Sequence, residues 1–92
     1  MKKLAIVTGA NKGLGLSVAQ KLVHNNYKVI LACRDKTKGQ QAEKFLGEET
    51  TFIELDLSNP KSIDNFSNEI SKSYSGVDVL YNNVGRKTNK KN

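Results

Sequence analysis

The sequence predicts an α/β fold: a parallel sheet with helices on both faces, in three layers. Three observations carry this. Four short apolar runs of strand length alternate with three helical patterns, in the order βαβαβαβ. The second run, Tyr27-Lys28-Val29-Ile30-Leu31-Ala32-Cys33, is nearly all apolar and does not alternate, which marks a strand covered on both faces. A glycine-rich stretch, Thr8-Gly9-Ala10-Asn11-Lys12-Gly13-Leu14-Gly15, joins the first strand to the first helix.

Each element has its own signal. Leu4 to Thr8 reads as a buried strand. Leu14 to His24 reads as a helix, with Leu14, Val18, Leu22 and Val23 on its apolar side and Asn25-Asn26 at its end. After the second strand, Thr37 to Leu46 forms a second helix, weakened by Gly39 and followed by a C-terminal Gly47. Thr51 to Leu55 is the third strand. Asn59-Pro60 supplies an N-cap and a first-turn proline for the third helix. Its apolar stripe is Ile63, Phe66, Ile70 and Tyr74, and Gly76 ends it. Val77 to Tyr81 is the fourth strand and runs into Asn82-Asn83-Val84-Gly85.

Bulk properties narrow the function classes. Ninety-two residues suit one small domain of modest stability. The net charge is +6, but the last seven residues hold four positive charges and no negative one, so the rest carries only +2. A nearly neutral body argues against a nucleic-acid binder. The tail, residues 86–92, reads as a basic, disordered end. One cysteine excludes an internal disulfide. No apolar run is long enough to span a bilayer, and the N-terminal run is too short for a secretory signal. The expected location is the cytoplasm, without a membrane partner. His24 has no second histidine with which to build a metal site.

A strand, a glycine turn and a helix together form a receptor for a pyrophosphate. Missing Cβ atoms let the backbone approach the phosphates, and the helix start offers free N–H groups. The spacing Thr8-Gly9-x-x-x-Gly13-x-Gly15 occurs with Asp56-Leu57-Ser58 after the third strand and Asn82-Asn83-Val84-Gly85 after the fourth. On these three motifs the chain resembles the N-terminal half of a short-chain dehydrogenase/reductase, over residues 2–85. Leu31-Ala32-Cys33-Arg34-Asp35 is similar to the carbonyl-reductase and retinol-dehydrogenase members. The resemblance implies a partial Rossmann-type sheet of about four strands, with residues 1–85 as a dinucleotide-binding half-domain. It implies that Gly9, Gly13 and Gly15 form the pyrophosphate turn, completed by Asn11, Lys12 and Leu14. It further implies that Asp56 bonds the adenine amino group, that Leu57 adds its backbone, and that Asn83 and Gly85 line the ribose side. Read from its neighbours alone, Asp56 also suits a turn before Asn59-Pro60.

The end of the second strand bears on the cofactor. In dinucleotide folds an acid there binds the ribose 2′-hydroxyl of NAD, and an arginine accommodates the 2′-phosphate of NADP. By resemblance Cys33 stands where NAD-preferring members carry the acid, and Arg34 follows. With Lys12, this favours NADP(H) over NAD. The competing reading gives the acid's role to Asp35, which also suits the cap of the next helix.

Catalysis in the family, by the same resemblance, needs a tyrosine with a lysine four residues later. Leu31, Asp78 and Gly85 follow Tyr27, Tyr74 and Tyr81 at that spacing. The expectation is an oxidoreductase chain truncated before its catalytic residues. The alternative is a non-catalytic remnant that binds NADP or a partner. The fourth strand, apolar and at the sheet edge, invites self-association or pairing with a relative.

Overall fold

The computed structural model describes residues 2–11 and 13–83. The tail expected at residues 86–92, together with Lys12 and Gly85, lies outside the described residues. Seven elements follow in the expected order: β1 (Lys3–Thr8), α1 (Gly13–His24), β2 (Tyr27–Cys33), α2 (Lys36–Leu46), β3 (Thr50–Glu54), α3 (Pro60–Ser73) and β4 (Val79–Asn82). The four strands form one parallel sheet in the order β3-β2-β1-β4.

Strand alternation divides the core into two layers. Leu4, Ile6, Ile30 and Ala32 face Ile70 of α3, with Phe66 and Tyr74 packed at the margin. Val7, Val29 and Leu31 face Ala19 of α1 and Ala42 of α2. The turn of the chain from β3 to β4 therefore carries α3 to the opposite face from α1 and α2.

Helix ends follow their local chemistry. Asn59 Oδ1 accepts from the Lys61 and Ser62 amides, and Pro60 opens α3. Asp35 caps α2 by accepting from the Lys38 amide at 3.0 Å. The Gly47 amide closes α2 by donating to the Glu43 carbonyl.

Three expectations need correction. Leu14 does not join the apolar side of α1; it is 63% exposed. The buried residues of α1 are Gly15 and Ala19, because the smallest side chains let the helix close on the sheet. Leu16, Val18, Leu22 and Val23 pack against the same cluster around them. α3 stops at Ser73, with Tyr74 rather than Gly76 at its cap. β4 begins at Val79, because Asp78 is spent on the turn into the sheet: its carboxylate accepts from the Leu4 amide and its own amide donates to the Leu4 carbonyl.

Gly39, an apparent weakness in α2, has a packing reason. A Cβ there would collide with the Phe52 ring of β3.

The two sheet edges differ. At β3 the Phe52 amide donates to Glu43 Oε2 at 2.9 Å, so α2 shields that edge. At β4, Leu80 is 65% exposed. It pairs in register with Ile6 and shares its face of the sheet.

Candidate functional site

The chain order reverses at β1, which has β2 on one side and β4 on the other. Ligand crevices in such sheets open at the carboxyl ends of the strands flanking that reversal. A cleft of about 790 Å³ lies there, lined from the ends of all four strands: Thr8, Gly9, Asn11, Ala32, Cys33, Arg34, Asp35, Lys38, Leu55, Asp56, Leu57, Ser58 and Asn83. A smaller hollow of about 320 Å³ lies at the other end of the sheet, among Lys2, Lys3, Asn25, Asn26 and Tyr27. It is at the amino ends of β1 and β2, away from every motif.

Thr8 ties the cleft floor together. Its hydroxyl donates to Asn82 Oδ1 at 2.7 Å and accepts from the Asn83 amide at 2.9 Å. The Gly9 amide donates to the Ala32 carbonyl at 2.8 Å, and Asn83 Nδ2 donates to the Gly9 carbonyl at 3.4 Å. The ends of β2, β1 and β4 are thus joined through one residue each. Gly9 has φ +61, and a Cβ on it would stand 2.5 Å from the Asn83 carbonyl oxygen. A Cβ on Gly15 would collide with the Gly9 carbonyl and lie 2.8 Å from Asn83 Nδ2. Both sites exclude any side chain, and the start of α1 sits directly over the end of β1 as a result. Gly13 has φ +54 in open space, so only its backbone conformation asks for glycine.

On the β3 side, Asp56 is held by its own loop. Its amide donates to Ser62 Oγ at 2.9 Å, and the Asn59 amide donates to its carbonyl. Asp56 Oδ1 accepts from the Ser58 hydroxyl at 2.7 Å and the Ser58 amide at 3.0 Å. These two bonds, helped by the Arg34 cation, hold the Asp56 carboxyl below the ordinary carboxylate range. Asp56 Oδ2 accepts no hydrogen bond from the described residues. Asp56 is therefore a turn residue and a cleft-lining carboxylate at once.

On the β2 side, Cys33 is buried and burial pushes its thiol up, so it is a neutral liner. Asp35 Oδ1 serves the α2 cap, while Arg34 and Lys38 are both exposed on the cleft wall.

Of the residues singled out from sequence, Gly9, Asn11, Arg34, Asp56, Leu57 and Asn83 line the cleft. Gly13, Leu14 and Gly15 form the first turn of α1, where Gly15 contacts Gly9. Lys12 and Gly85 lie outside the described residues. Sequence reasoning passed over Lys38 and Ser62, and quoted Thr8 in the glycine motif without giving it a role. Lys38 had a legible signal. α2 begins Lys36-Thr37-Lys38 with no acid in its first turn, which sets cations against the helix dipole and makes sense beside an anion.

The short chain dehydrogenase family model matches residues 3–92. The chain belongs to the short chain dehydrogenase family. Among curated relatives of this dehydrogenase family, mouse carbonyl reductase [NADPH] 1 is 41% identical over 88 residues, covering 91% of this chain and 32% of the relative. Among solved dehydrogenase structures, menthone neomenthol reductase from Mentha piperita aligns with TM-score 0.84 at 32% identity, covering 94% of this chain and 32% of that one. The F189W actinorhodin polyketide ketoreductase, solved with NADPH, aligns with TM-score 0.84 at 31% identity, covering 92% of this chain and 34% of that one. The chain spans about a third of the length of the curated dehydrogenase relatives it matches. Among the described residues no helix is long and apolar enough to cross a membrane.

Proposed function

We propose that this chain is the dinucleotide-binding part of an NADP(H)-dependent short-chain dehydrogenase/reductase acting on carbonyl and alcohol substrates. The bound cofactor supplies the hydride. The chain's residues bind and orient it. The observation that carries this reading is the cradle of Gly9, Gly15 and Asn83, where three strand ends meet and any Cβ would intrude. An anion there meets the free N–H groups and positive end of α1. Asn11 belongs to the same turn and Leu14 to the following helix turn, and the reading assigns Lys12, next to Asn11 in sequence, to the same phosphate side. Asp56 Oδ2 is open to an adenine amino group, the Leu57 backbone lies beside it, and Asn83 with Gly85 serves the ribose side.

The choice of NADP over NAD rests on Arg34, Lys38 and Asp35. Asp35 Oδ1 is engaged at the α2 cap, which leaves Arg34 and Lys38 as the charged groups of that wall facing a 2′-phosphate.

No tyrosine in this chain has a lysine four residues later, so proton transfer to the carbonyl oxygen has no donor of the family's type here. The chain alone binds without turning over. The test is a fluorescence titration of the 92-residue chain with NADPH and NADH, alongside a ketone-dependent oxidation assay. Tighter binding of NADPH with no oxidation is expected. Oxidation by the chain alone would overturn the non-catalytic assignment, and equal affinities would remove the NADP preference.

A partner role for β4 is supported by the contrast between the edges: β3 is shielded by Glu43, and β4 presents Leu80 bare. We expect the chain to self-associate or pair with a relative through this edge. Leu80→Lys places a charge on the bare face and makes the chain more monomeric by analytical ultracentrifugation. An unchanged sedimentation distribution sinks this assignment.

A further inference from the structure

Asp56 reaches the cleft from a loop, and loops hold functional groups in place only when something outside them is fixed. The Leu55 amide ties the exit of β3 to the Cys33 carbonyl at 2.9 Å, and the bond that fixes Asp56 itself is Asp56 N–H to Ser62 Oγ, 2.9 Å, spanning six residues. The other contacts of Asp56 are internal to the loop: Ser58 on its carboxylate and Asn59 on its carbonyl. They fold the loop on itself without anchoring it. Ser62 sits in the first turn of α3, and α3 is seated on the sheet through Ile70. Its own amide also donates to Asn59 Oδ1 at the cap, so one residue joins the helix start to the exit of β3.

We propose that Ser62 is a positioning residue for base recognition: its hydroxyl sets the height of Asp56 so that Oδ2 meets a 6-amino purine. Ser62 touches no ligand in this account and acts through the Asp56 backbone. The inference rests on the reading of Asp56 as the adenine contact.

Recognition of an amino group by a fixed acceptor is steeply selective, because a 6-oxo group sets two acceptors against each other. The probes are adenosine 2′,5′-bisphosphate and inosine 2′,5′-bisphosphate, titrated calorimetrically against the full chain. The original sequence should prefer the adenine ligand by about tenfold, the worth of one hydrogen bond to a charged acceptor. Ser62→Ala should cut that preference below about threefold, with most of the loss in the adenine ligand. Ser62→Thr keeps the hydroxyl and should restore it. Amide exchange at Asp56 should accelerate in Ser62→Ala and return in Ser62→Thr, which also reports on any variant too weak to titrate.

The outcomes separate the two claims. Asp56→Ala that leaves the preference intact overturns the adenine reading, and the Ser62 role with it. Loss of preference in Asp56→Ala but not in Ser62→Ala keeps the adenine reading and overturns the Ser62 role. Equal weakening of both ligands in Ser62→Ala, with a lowered melting temperature, marks a purely structural residue and overturns the proposal as well.

Discussion

Gly15→Ala loses NADPH binding and destabilises the chain by about 2 kcal/mol, the range of an overpacked site. Alanine is normally the better helix residue, by about 1 kcal/mol over glycine. Here the new methyl would strike the Gly9 carbonyl and the Asn83 amide group. The struck atoms include the Gly9 backbone just after β1, which cannot swing aside as a side-chain tip can. α1 must lift from the sheet, and the free amides at its start move away from the phosphates. Gly9→Ala should behave similarly, since a methyl at φ +61 would stand 2.5 Å from the Asn83 carbonyl oxygen. Gly13→Ala is the control. Its φ of +54 costs about 1 kcal/mol in the left-handed region, and nothing lies within 4 Å of the added atom. Urea unfolding and NADPH fluorescence should therefore rank Gly15→Ala and Gly9→Ala well below Gly13→Ala. A Gly15→Ala chain as stable as the original, binding NADPH as well, would sink the close-approach account of this turn.

The second large effect lies on the cleft wall of Arg34 and Lys38, to which we assign the choice of cofactor. Arg34→Ala and Lys38→Ala should each weaken NADPH by about tenfold and leave NADH nearly unchanged, so the double variant binds the two alike. Both side chains are exposed, which keeps each contribution at the low end for charge-assisted bonds. High salt should erode the NADPH advantage in the original sequence for the same reason. Lys38→Ala leaves the backbone amide in place, so the Asp35 cap survives and the loss reports on charge alone. Asp35→Ala discriminates between the readings. It should cost about 1 kcal/mol of stability as a lost cap without changing the ratio of NADPH to NADH affinity. A sharp fall in NADH affinity alone would return the ribose contact to Asp35 and overturn the NADP preference.

Element order, family and six of the thirteen cleft-lining residues were legible in the sequence. Strands and helices announce themselves through local periodicity. Asn59-Pro60 caps α3 whatever lies around it, and three motifs at strand ends are local patterns too. Leu14 shows the limit of such reasoning: hydropathy put it on the inner face of α1, whereas contact with the sheet belongs to Gly15 and Ala19. Periodicity registers how apolar a residue is, and close packing selects for how small it is. Which strands are neighbours shows only in three dimensions. Thr8 and Asn83 lie 75 residues apart, and their hydrogen bond exists because β4 returns to β1 instead of extending beyond β3. That return creates the crevice and makes Gly9 intolerant of a side chain, whereas at Gly15 the Gly9 carbonyl already excludes one. The return also makes β3, in place of β1, the second edge of the sheet. The hydrogen bonds of Asp35 and Ser62, and the place of Lys38 on the cleft wall, likewise appear only in three dimensions, because they depend on where chain segments meet and not on any segment alone.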